Sequence, residues 1–394
     1  MLRVLTLSTL FPNGAQPTLG IFVERQTIGL AALPNAEVQV VAPIGLPPWP
    51  LSYHRRYRAR ARLPLREEWK GLTVHRPRFP IVPIVGGRRT AESMAESLLP
   101  VLLEIRERFP FDVIDAEFFW PDGPAAMLLG RALGVPFSVT ARGSDVQYWM
   151  HRPGIAEQIL EASKAAGGML AVSAALGRVM AGFGMPAEKI RTHYTGVDHD
   201  RFRPVDRAQA KAELGVAGPL IVTIGALIPG KGQKVAIETA ERIPEATLIL
   251  AGQGPDRPRL EAMVRRKWLG HRVRLVGGLA HDEVAKVMAA ADVMLLPSRS
   301  EGLANVWVEA LASGTPVVTP DVGGAREVID RPEAGAIVPA DPDAMAAAIR
   351  AILADPPDQA KVRAASERFS CETNCRSLFE HLSAVAAGKL KRAA

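Results

Sequence analysis

Residues 291–318 read ADVMLLPSRSEGLANVWVEALASGTPVV: an apolar run, a polar turn, a helical stretch and a second apolar run. The run Val293–Leu296 contains no polar residue, which is typical of a strand covered on both faces of a sheet. Two such strands joined by a helix predict a parallel β-α-β unit with a right-handed crossover. The stretch therefore predicts an α/β fold.

The same succession of strand, turn and helix repeats along the 394 residues, a length that suits two domains. The other predicted strands are Val4–Leu7, Val38–Ala42, Thr73–Arg76, Val113–Ala116, Phe137–Thr140, Met169–Val172, Leu220–Ile224, Thr247–Ala251, Val273–Val276, Val317–Thr319 and Ala336–Val338. We expect two doubly wound parallel-sheet (Rossmann-like) domains, 1–195 and 196–370, facing across a ligand-binding cleft. Residues 371–394 are expected to form a C-terminal helix that could cross back to the first domain.

Composition excludes several classes of protein. A hydrophobic fraction of 48% and a charged fraction of 23% exclude wholesale disorder. No apolar run approaches the roughly 18–20 residues that a membrane-spanning helix needs, and the N-terminus is predicted to be a strand instead of a secretion signal. Cys371 and Cys375 are too few for a disulfide framework or a four-ligand zinc site. We expect a cytoplasmic protein with reduced thiols.

Positive charge is concentrated in the stretch Pro47–Arg66, PPWPLSYHRRYRARARLPLR, which has six arginines and no acidic residue in a chain of net charge +7. Arginines mixed with Trp49, Tyr53 and Tyr57 suit the anionic surface of a cytoplasmic membrane leaflet. A solvated loop with a basic face is an equally simple reading. Nucleic acid is the least favoured partner because no nucleic-acid-binding motif accompanies the charge.

The turn after the strand Val293–Leu296 carries the strongest chemical signal. Gly302–Asn305 is predicted to form the first turn of a helix, where free N–H groups and the helix dipole favour a phosphate or diphosphate. Glu301 precedes that turn and Glu309 lies about two turns further, where a carboxylate can accept hydrogen bonds from sugar hydroxyls. Alone, the two glutamates could equally be solvated surface acids.

The chain resembles the family 4 retaining glycosyltransferases, which have the two-domain GT-B fold. Their Glu-x7-Glu signature is present as Glu301 and Glu309. The segments IGALIPGKGQ, LILAGQGP and VRLVGGLAHDEV are similar to other motifs of the family's second domain. In the first half, FPNGAQPTLGIFVERQ, DAEFFWPDGPAA and TARGSDV resemble family patterns, and TGVDHDRFRP resembles the segment that leads into the second domain.

The resemblance implies a set of donor contacts. Lys231 would contact the diphosphate, Glu309 the ribose hydroxyls and Glu301 the transferred sugar. The remaining implied donor residues are Gly20, which lets backbone approach the diphosphate, Gly225 and Gly254 near the nucleotide, Leu279 near the base, and the amides of Gly302, Leu303, Ala304 and Asn305 at the phosphates or sugar. Gly20 could instead serve only the start of a helix, and Gly254 could be a structural turn residue.

The sequence departs from the family at two positions. Gly225 is followed by Ala226, where the family often has an arginine, and Arg142 stands where a histidine is common. Arg142 could supply positive charge to the leaving group or acceptor, and Asp145 could orient an acceptor hydroxyl. Structural roles for both residues are equally open.

The implied activity is a hexosyltransferase reaction with retention of configuration, from a UDP- or GDP-sugar to a glycan or lipid-linked acceptor in cell-envelope, exopolysaccharide or lipopolysaccharide synthesis. We expect no metal cofactor, because the Asp198-His199-Asp200 triplet lies far from the donor block in sequence. The expected location is cytoplasmic, with peripheral contact at the inner face of the membrane as one reading of the basic stretch. The alternatives are a GT-B sugar-nucleotide 2-epimerase and a non-enzymatic membrane- or carbohydrate-binding protein.

Overall fold

The computed structural model describes residues 1–82 and 87–388, so residues 389–394 of the predicted C-terminal helix lie outside the described part. The chain forms two compact units. The first comprises Met1–Gly196 together with the final segment that begins at Cys371, and the second comprises Val197–Ser370.

The first unit contains an eight-stranded sheet and a small two-stranded sheet. Its strands are β1 (Leu2–Leu7), β2 (Ala36–Val41), β3 (Ile44–Leu46), β4 (Arg66–Trp69), β5 (Leu72–His75), β6 (Arg78–Pro80), β7 (Val113–Ala116), β8 (Phe137–Ala141), β9 (Gly168–Ala171) and β10 (Ile190–Thr192). Its helices are α1 (Ile21–Ala31), α2 (Arg55–Ala61), α3 (Thr90–Arg108), α4 (Asp122–Leu133), α5 (Ser144–Gln147), α6 (Ala156–Ala165) and α7 (Ala174–Gly182), and the last helix of the chain, Cys371–Ala386, also belongs to this unit.

The large sheet has the order β10-β9-β8-β7-β1-β2-β5-β4 and is parallel except at one edge. There β4 pairs antiparallel with β5, which corrects the expectation of a purely parallel sheet. The cause is the two-residue turn Lys70-Gly71, where both residues have positive φ, 52° and 85°. Such turns match the twist of a hairpin and join adjacent antiparallel strands.

Helices cover both faces of this sheet. Leu30 of α1 and Leu378 and Leu382 of the last helix pack with Val4 and Val113 on one face. On the opposite face, α4 contacts β7 and β8. Side chains two positions apart on a strand lie on the same face of the sheet. The polar residues that lie two positions from the apolar residues of the first face are therefore also covered by its helices.

The second unit contains a parallel six-stranded sheet with helices between its strands. Its strands are β11 (Leu220–Ile224), β12 (Thr247–Ala251), β13 (Val273–Gly277), β14 (Val293–Leu295), β15 (Val317–Thr319) and β16 (Gly335–Ile337). Its helices are α8 (Arg207–Glu213), α9 (Gln233–Glu241), α10 (Arg257–Arg266), α11 (His281–Ala290), α12 (Asn305–Ala312), α13 (Ala325–Val328), α14 (Pro342–Ala354) and α15 (Gln359–Ala364); the helix Cys371–Ala386 is therefore α16.

The strand order is β13-β12-β11-β14-β15-β16. The first three strands are added in one direction from β11, and the last three are added in the opposite direction from β14, so the order of addition reverses between β11 and β14. This is the doubly wound order in which ligands bind beyond the carboxyl ends of the strands at the reversal point. The predicted α/β fold with two Rossmann-like units is thus confirmed. The strands β3, β4, β6 and β10 are additions that the apolar pattern did not predict.

No helix within residues 1–82 and 87–388 is long and apolar enough to cross a membrane.

Candidate active site

The loops that follow β11 and β14 are adjacent, because these two strands are neighbours in the sheet. Gly232, in the first loop, has a φ of 73°, and a Cβ there would lie 2.1 Å from the carbonyl oxygen of Pro297 in the second loop. The Arg299 N–H also donates to the carbonyl of Gly230 at 2.9 Å. This close approach of two backbones requires glycine and fixes the position of the residue between the two glycines, Lys231.

Lys231 and Glu301 form an ion pair across these loops. The ammonium of Lys231 lies 2.6 Å from Oε1 and 2.8 Å from Oε2 of Glu301. The carboxylate is largely buried, with 9% of its side chain exposed, while the lysine side chain is 28% exposed. The structure therefore brings together two side chains that the resemblance assigns to the same ligand.

The segment Gly302–Ala304 is not helical, which corrects the predicted first turn: α12 begins at Asn305. The carbonyl of Gly302 accepts from the Gly324 N–H at 2.9 Å, and a Cβ on Gly323 would lie 2.1 Å from the carbonyl of Glu301. The segment thus lies against the loop that follows β15.

Three amides remain at the start of α12. Within the part of the chain that the structure describes, the N–H groups of Leu303, Ala304 and Asn305 donate no hydrogen bond. Orphan N–H groups of this kind, together with the helix dipole, form an anion-binding position. The shift of the helix start is compatible with the predicted phosphate position, which stays a prediction.

Glu309 lies in the second turn of α12 and is buried, with 8% exposure. His281, the first residue of α11, approaches it: Nε2 lies 3.2 Å from Oε1 of Glu309. The sequence analysis did not identify His281, although it lies in the quoted segment VRLVGGLAHDEV. Its pairing with a residue 28 positions away becomes visible only in the fold.

The other donor-side candidates lie at the same carboxyl edge of the second sheet. Gly225 follows β11, and its carbonyl would lie 1.9 Å from a Cβ on Gly252 after β12. Gly254 packs similarly, since its Cβ would lie 2.2 Å from the carbonyl of Leu227. Leu279 lies half-buried between β13 and α11. Gly252 and Gly254 are therefore required by the packing of the loops, whereas a Cβ on Gly225 would meet no atom within 4 Å.

Gly20, Arg142 and Asp145 belong to the first unit. Gly20 precedes α1 with a φ of 65°, and a Cβ there would lie 2.1 Å from the carbonyl of Leu10. This contact within the β1–α1 loop is sufficient to require glycine.

Arg142 lies beyond the carboxyl end of β8, and its guanidinium pairs with Glu117, whose side chain is fully buried. Gln26 of α1 bridges the pair, since it donates to Glu117 at 2.7 Å and accepts from Arg142 at 3.4 Å. The Nε and Nη1 atoms of Arg142 are buried and have no partner among the described residues. Neither Glu117 nor Gln26 was identified from the sequence.

Asp145 holds the turn that carries Arg142. One carboxylate oxygen accepts the amides of Arg142 and Gly143 at 3.0 and 2.8 Å, and the other accepts the Phe119 amide at 3.0 Å. The side chain is fully buried, and burial raises the pKa of its carboxyl. The structure thus gives Asp145 a positioning role at the end of β8.

Two further carboxyls share this interior. Burial raises the pKa of Asp115 well above its ordinary value, and the adjacent Glu117 adds to the effect. Burial likewise raises the pKa of Asp122, in the first turn of α4, to about 7, although the Thr9 amide donates to it at 2.9 Å. Neighbouring carboxylates therefore disfavour the ionisation of both groups.

The Asp198-His199-Asp200 triplet has local partners: Asp198 accepts the backbone amides of Asp200 and Arg201 at 3.1 and 3.0 Å. In the described ranges, no group of three or more His, Cys, Asp and Glu side chains is arranged to hold a metal ion.

The raised pKa of Asp122 predicts a pH-dependent stability. The folded chain keeps this proton to a higher pH than the unfolded chain, so folding stability falls as pH rises from 3.8 to about 7 and stays reduced above it. Asp122→Asn removes this loss. We expect the variant to exceed the wild type in free energy of unfolding by on the order of 2 kcal/mol at about pH 8, and by less at about pH 5.

Urea unfolding of the full chain at both pH values measures the difference. Asp355→Asn, at an exposed position of the second unit, gives the background effect of an Asp-to-Asn change. A difference for Asp122→Asn that does not change with pH would contradict the shifted ionisation.

Comparisons with known proteins identify the family of the chain. The family profile described as Glycosyltransferase Family 4 matches residues 30–201, and the one described as Glycosyl transferases group 1 matches residues 205–369. The glycosyltransferase TuaC of Bacillus subtilis strain 168, which is assigned to teichuronic acid biosynthesis, is 29% identical over 88% of both chains.

A D-inositol 3-phosphate glycosyltransferase of Catenulispora acidiphila is 30% identical over 70% of this chain and 72% of its own. Among solved structures, Anabaena Alr3699/HepE in complex with UDP-glucose superposes with a TM-score of 0.74 at 21% identity, over 98% of this chain and 100% of its own. Because the sequence identity is low, this structural similarity supports only the fold. The chain is a sugar-transferring enzyme that belongs to glycosyltransferase family 4 and has the GT-B fold.

Proposed function

We propose that the second unit binds a nucleoside-diphosphate sugar, and that the chain transfers its hexosyl group with retention to a glycan or lipid-linked acceptor of the cell envelope. One observation carries the proposal. The ammonium of Lys231 and the unpaired amides of Leu303, Ala304 and Asn305 lie in loops at the reversal point of the second sheet. That is where a doubly wound sheet binds its ligand.

The diphosphate would replace Glu301 as a partner of the lysine. A diphosphate carries more negative charge than one carboxylate, and the helix N-terminus adds a favourable dipole on the same side. Glu301 would then be available to the hydroxyls of the transferred sugar. As the bond to the sugar breaks, negative charge grows on the diphosphate, and fixed positive groups stabilise it.

The retaining course is proposed from the family and from the residues at the site. Glu301 is proposed to hydrogen-bond the hydroxyls of the transferred sugar, and none of the residues assigned to the site is given the role of a covalent nucleophile. Front-face attack by the acceptor, assisted by a donor phosphate oxygen, is the course we propose.

Arg142 is proposed to supply positive charge to the leaving group or the acceptor. Glu117 and Gln26 fix the guanidinium, and the turn held by Asp145 fixes its backbone. A guanidinium with buried, unsatisfied N–H groups gains strongly from an anionic or hydroxyl partner.

UDP-sugars are the first donors to test, because the GT-B neighbour above was solved with UDP-glucose. Gly254 and Leu279 are proposed to lie near the nucleotide. The names of the relatives given above imply different acceptors. The proposed acceptor class is therefore argued from the basic surface described below.

The donor site is tested by substitution in a transfer or slow donor-hydrolysis assay with a panel of UDP- and GDP-sugars. Lys231→Ala is expected to lower kcat/KM by about 100-fold or more, since it removes the mobile cation from the developing charge. Glu301→Gln is expected to lower kcat by a similar factor. The matched control is Lys234→Ala, because Lys234 is 61% exposed on α9 and pairs only loosely with Glu238 at 3.6 Å. Unchanged turnover in both Lys231→Ala and Glu301→Gln would refute the site.

Activity without added metal is a second expectation. The lysine and the three amides already supply positive charge at the proposed diphosphate position. We therefore expect turnover in excess EDTA to stay within about twofold of turnover in added Mg²⁺. Abolition of turnover by EDTA and its recovery with Mg²⁺ or Mn²⁺ would contradict the expectation.

We also propose that the first unit contacts an anionic membrane surface at the cytoplasmic face. Large apolar side chains are exposed in one short segment: Trp49 by 79%, Tyr53 by 71% and Leu65 by 66%. Between them, α2 carries Arg55, Arg58 and Arg60. Exposed aromatic rings beside arginines suit the boundary between headgroups and acyl chains, and a site at a membrane would give access to a lipid-linked acceptor.

Vesicle flotation tests this surface. The triple variant Arg55→Glu, Arg58→Glu, Arg60→Glu is expected to lower binding to anionic vesicles by about tenfold or more, at roughly 1 kcal/mol for each basic residue. The pair Arg265→Glu, Arg266→Glu changes exposed arginines of α10 in the second unit and serves as the control. Equal flotation of the wild type and the triple variant would refute the membrane contact.

A further inference from the structure

Glu309 contacts a histidine, His281, that has no part in the proposed function. His281 begins α11 and reaches α12, where its Nε2 lies 3.2 Å from Oε1 of Glu309. The imidazole is 21% exposed and the carboxylate 10%. The contact is therefore formed between mostly buried side chains of two different helices.

The direction of this hydrogen bond follows from the other side of the ring. Nη1 of Arg201 lies 3.0 Å from Nδ1 of His281. A guanidinium has only donors, so Nδ1 must be the acceptor and the ring proton must sit on Nε2. His281 consequently donates to Glu309, and Arg201 selects the tautomer that does so.

Arg201 and the imidazole are themselves anchored. Nε of Arg201 lies 2.9 Å from Asp282, and Nη1 lies 3.9 Å from Asp198. The ring of Phe202 meets the imidazole edge to face, with centroids 4.9 Å apart and an interplanar angle of 83°. The histidine is thus restrained by an ion-paired arginine, an aromatic ring and a carboxylate.

We infer that His281 is a positioning residue for recognition of the donor ribose, and that Arg201 sets its tautomer. The inference rests on the proposed function and on the role that the family resemblance implies for Glu309, which is to bind the ribose hydroxyls of the donor. A carboxylate that is oriented before the ligand arrives loses less conformational freedom on binding. The TGVDHDRFRP and LAHDEV segments would then act together on a residue of the Glu-x7-Glu block.

The experiment compares affinities for two probes. The first is UDP or GDP, whichever the wild-type chain binds, and the second is the 2′,3′-dideoxy form of the same nucleotide. His281→Leu is expected to lower affinity for the ribonucleotide by about three- to tenfold, the scale of losing one side-chain ordering contact, and affinity for the dideoxy form by less than about twofold.

Two variants distinguish positioning from a merely structural effect. His281→Gln retains an N–H donor at the ε position and is expected to restore ribonucleotide affinity to within about twofold of the wild type. In turnover, His281→Leu is expected to raise the donor KM and leave kcat within about twofold, because the ribose contact is the same in the ground state and the transition state. The exposed His271→Leu is the matched control for loss of an imidazole.

Glu309→Gln separates the two hypotheses. If Glu309→Gln weakens the ribonucleotide selectively and His281→Leu weakens both probes equally or neither, the positioning role is overturned and the ribose role of Glu309 stands. If Glu309→Gln itself weakens both probes equally, the ribose role fails and the inference fails with it.

Discussion

The second unit depends on the close approach of two loop backbones at the reversal point of its sheet. Gly232 lies against the carbonyl of Pro297, where any side chain would collide. The contact exists because β11 and β14, distant in sequence, are adjacent strands. It places a lysine from one loop beside a carboxylate from the other, and the loop after β15 holds the same carboxylate's backbone through Gly323. The candidate donor site is thus a consequence of strand order and of two glycine-dependent contacts, at Gly232 and Gly323.

The ion pair between Lys231 and Glu301 stabilises the site before a ligand binds. An isolated buried carboxylate is costly, and the lysine neutralises it until a ligand arrives. A diphosphate can then take over the lysine, and sugar hydroxyls can satisfy the carboxylate. Binding would therefore exchange one set of charge-assisted contacts for another, so that neither group is left without a partner.

The first unit shows a different arrangement of charge. Glu117 and Arg142 are buried together beneath α1, with Asp115, Asp122 and Asp145 close by. Burial raises the pKa of all three aspartates, and neighbouring carboxylates add to the effect for Asp115 and Asp122. Arg142, which stands where the resemblance leads us to expect a histidine, has its own buried counter-ion in Glu117.

Strand positions and fold class were predictable because apolar runs with a regular spacing reflect burial on both faces, a local property. The pairing of Arg142 with Glu117 and of His281 with Glu309 was not, because each joins elements that only the fold brings together. The start of α12 was misplaced for the same reason: the backbone of residues 301 and 302 contacts Gly323 and Gly324 in the loop after β15. The β4–β5 hairpin, by contrast, had a local signal in Lys70-Gly71 that the apolar pattern concealed.

A crystal structure with the bound nucleoside diphosphate tests the central claim most directly. We expect phosphate oxygens within hydrogen-bonding distance of the Lys231 ammonium and of the amides of Leu303–Asn305. We also expect that the lysine is no longer paired to both oxygens of Glu301. Phosphates bound elsewhere, with the Lys231–Glu301 pair unchanged, would contradict it.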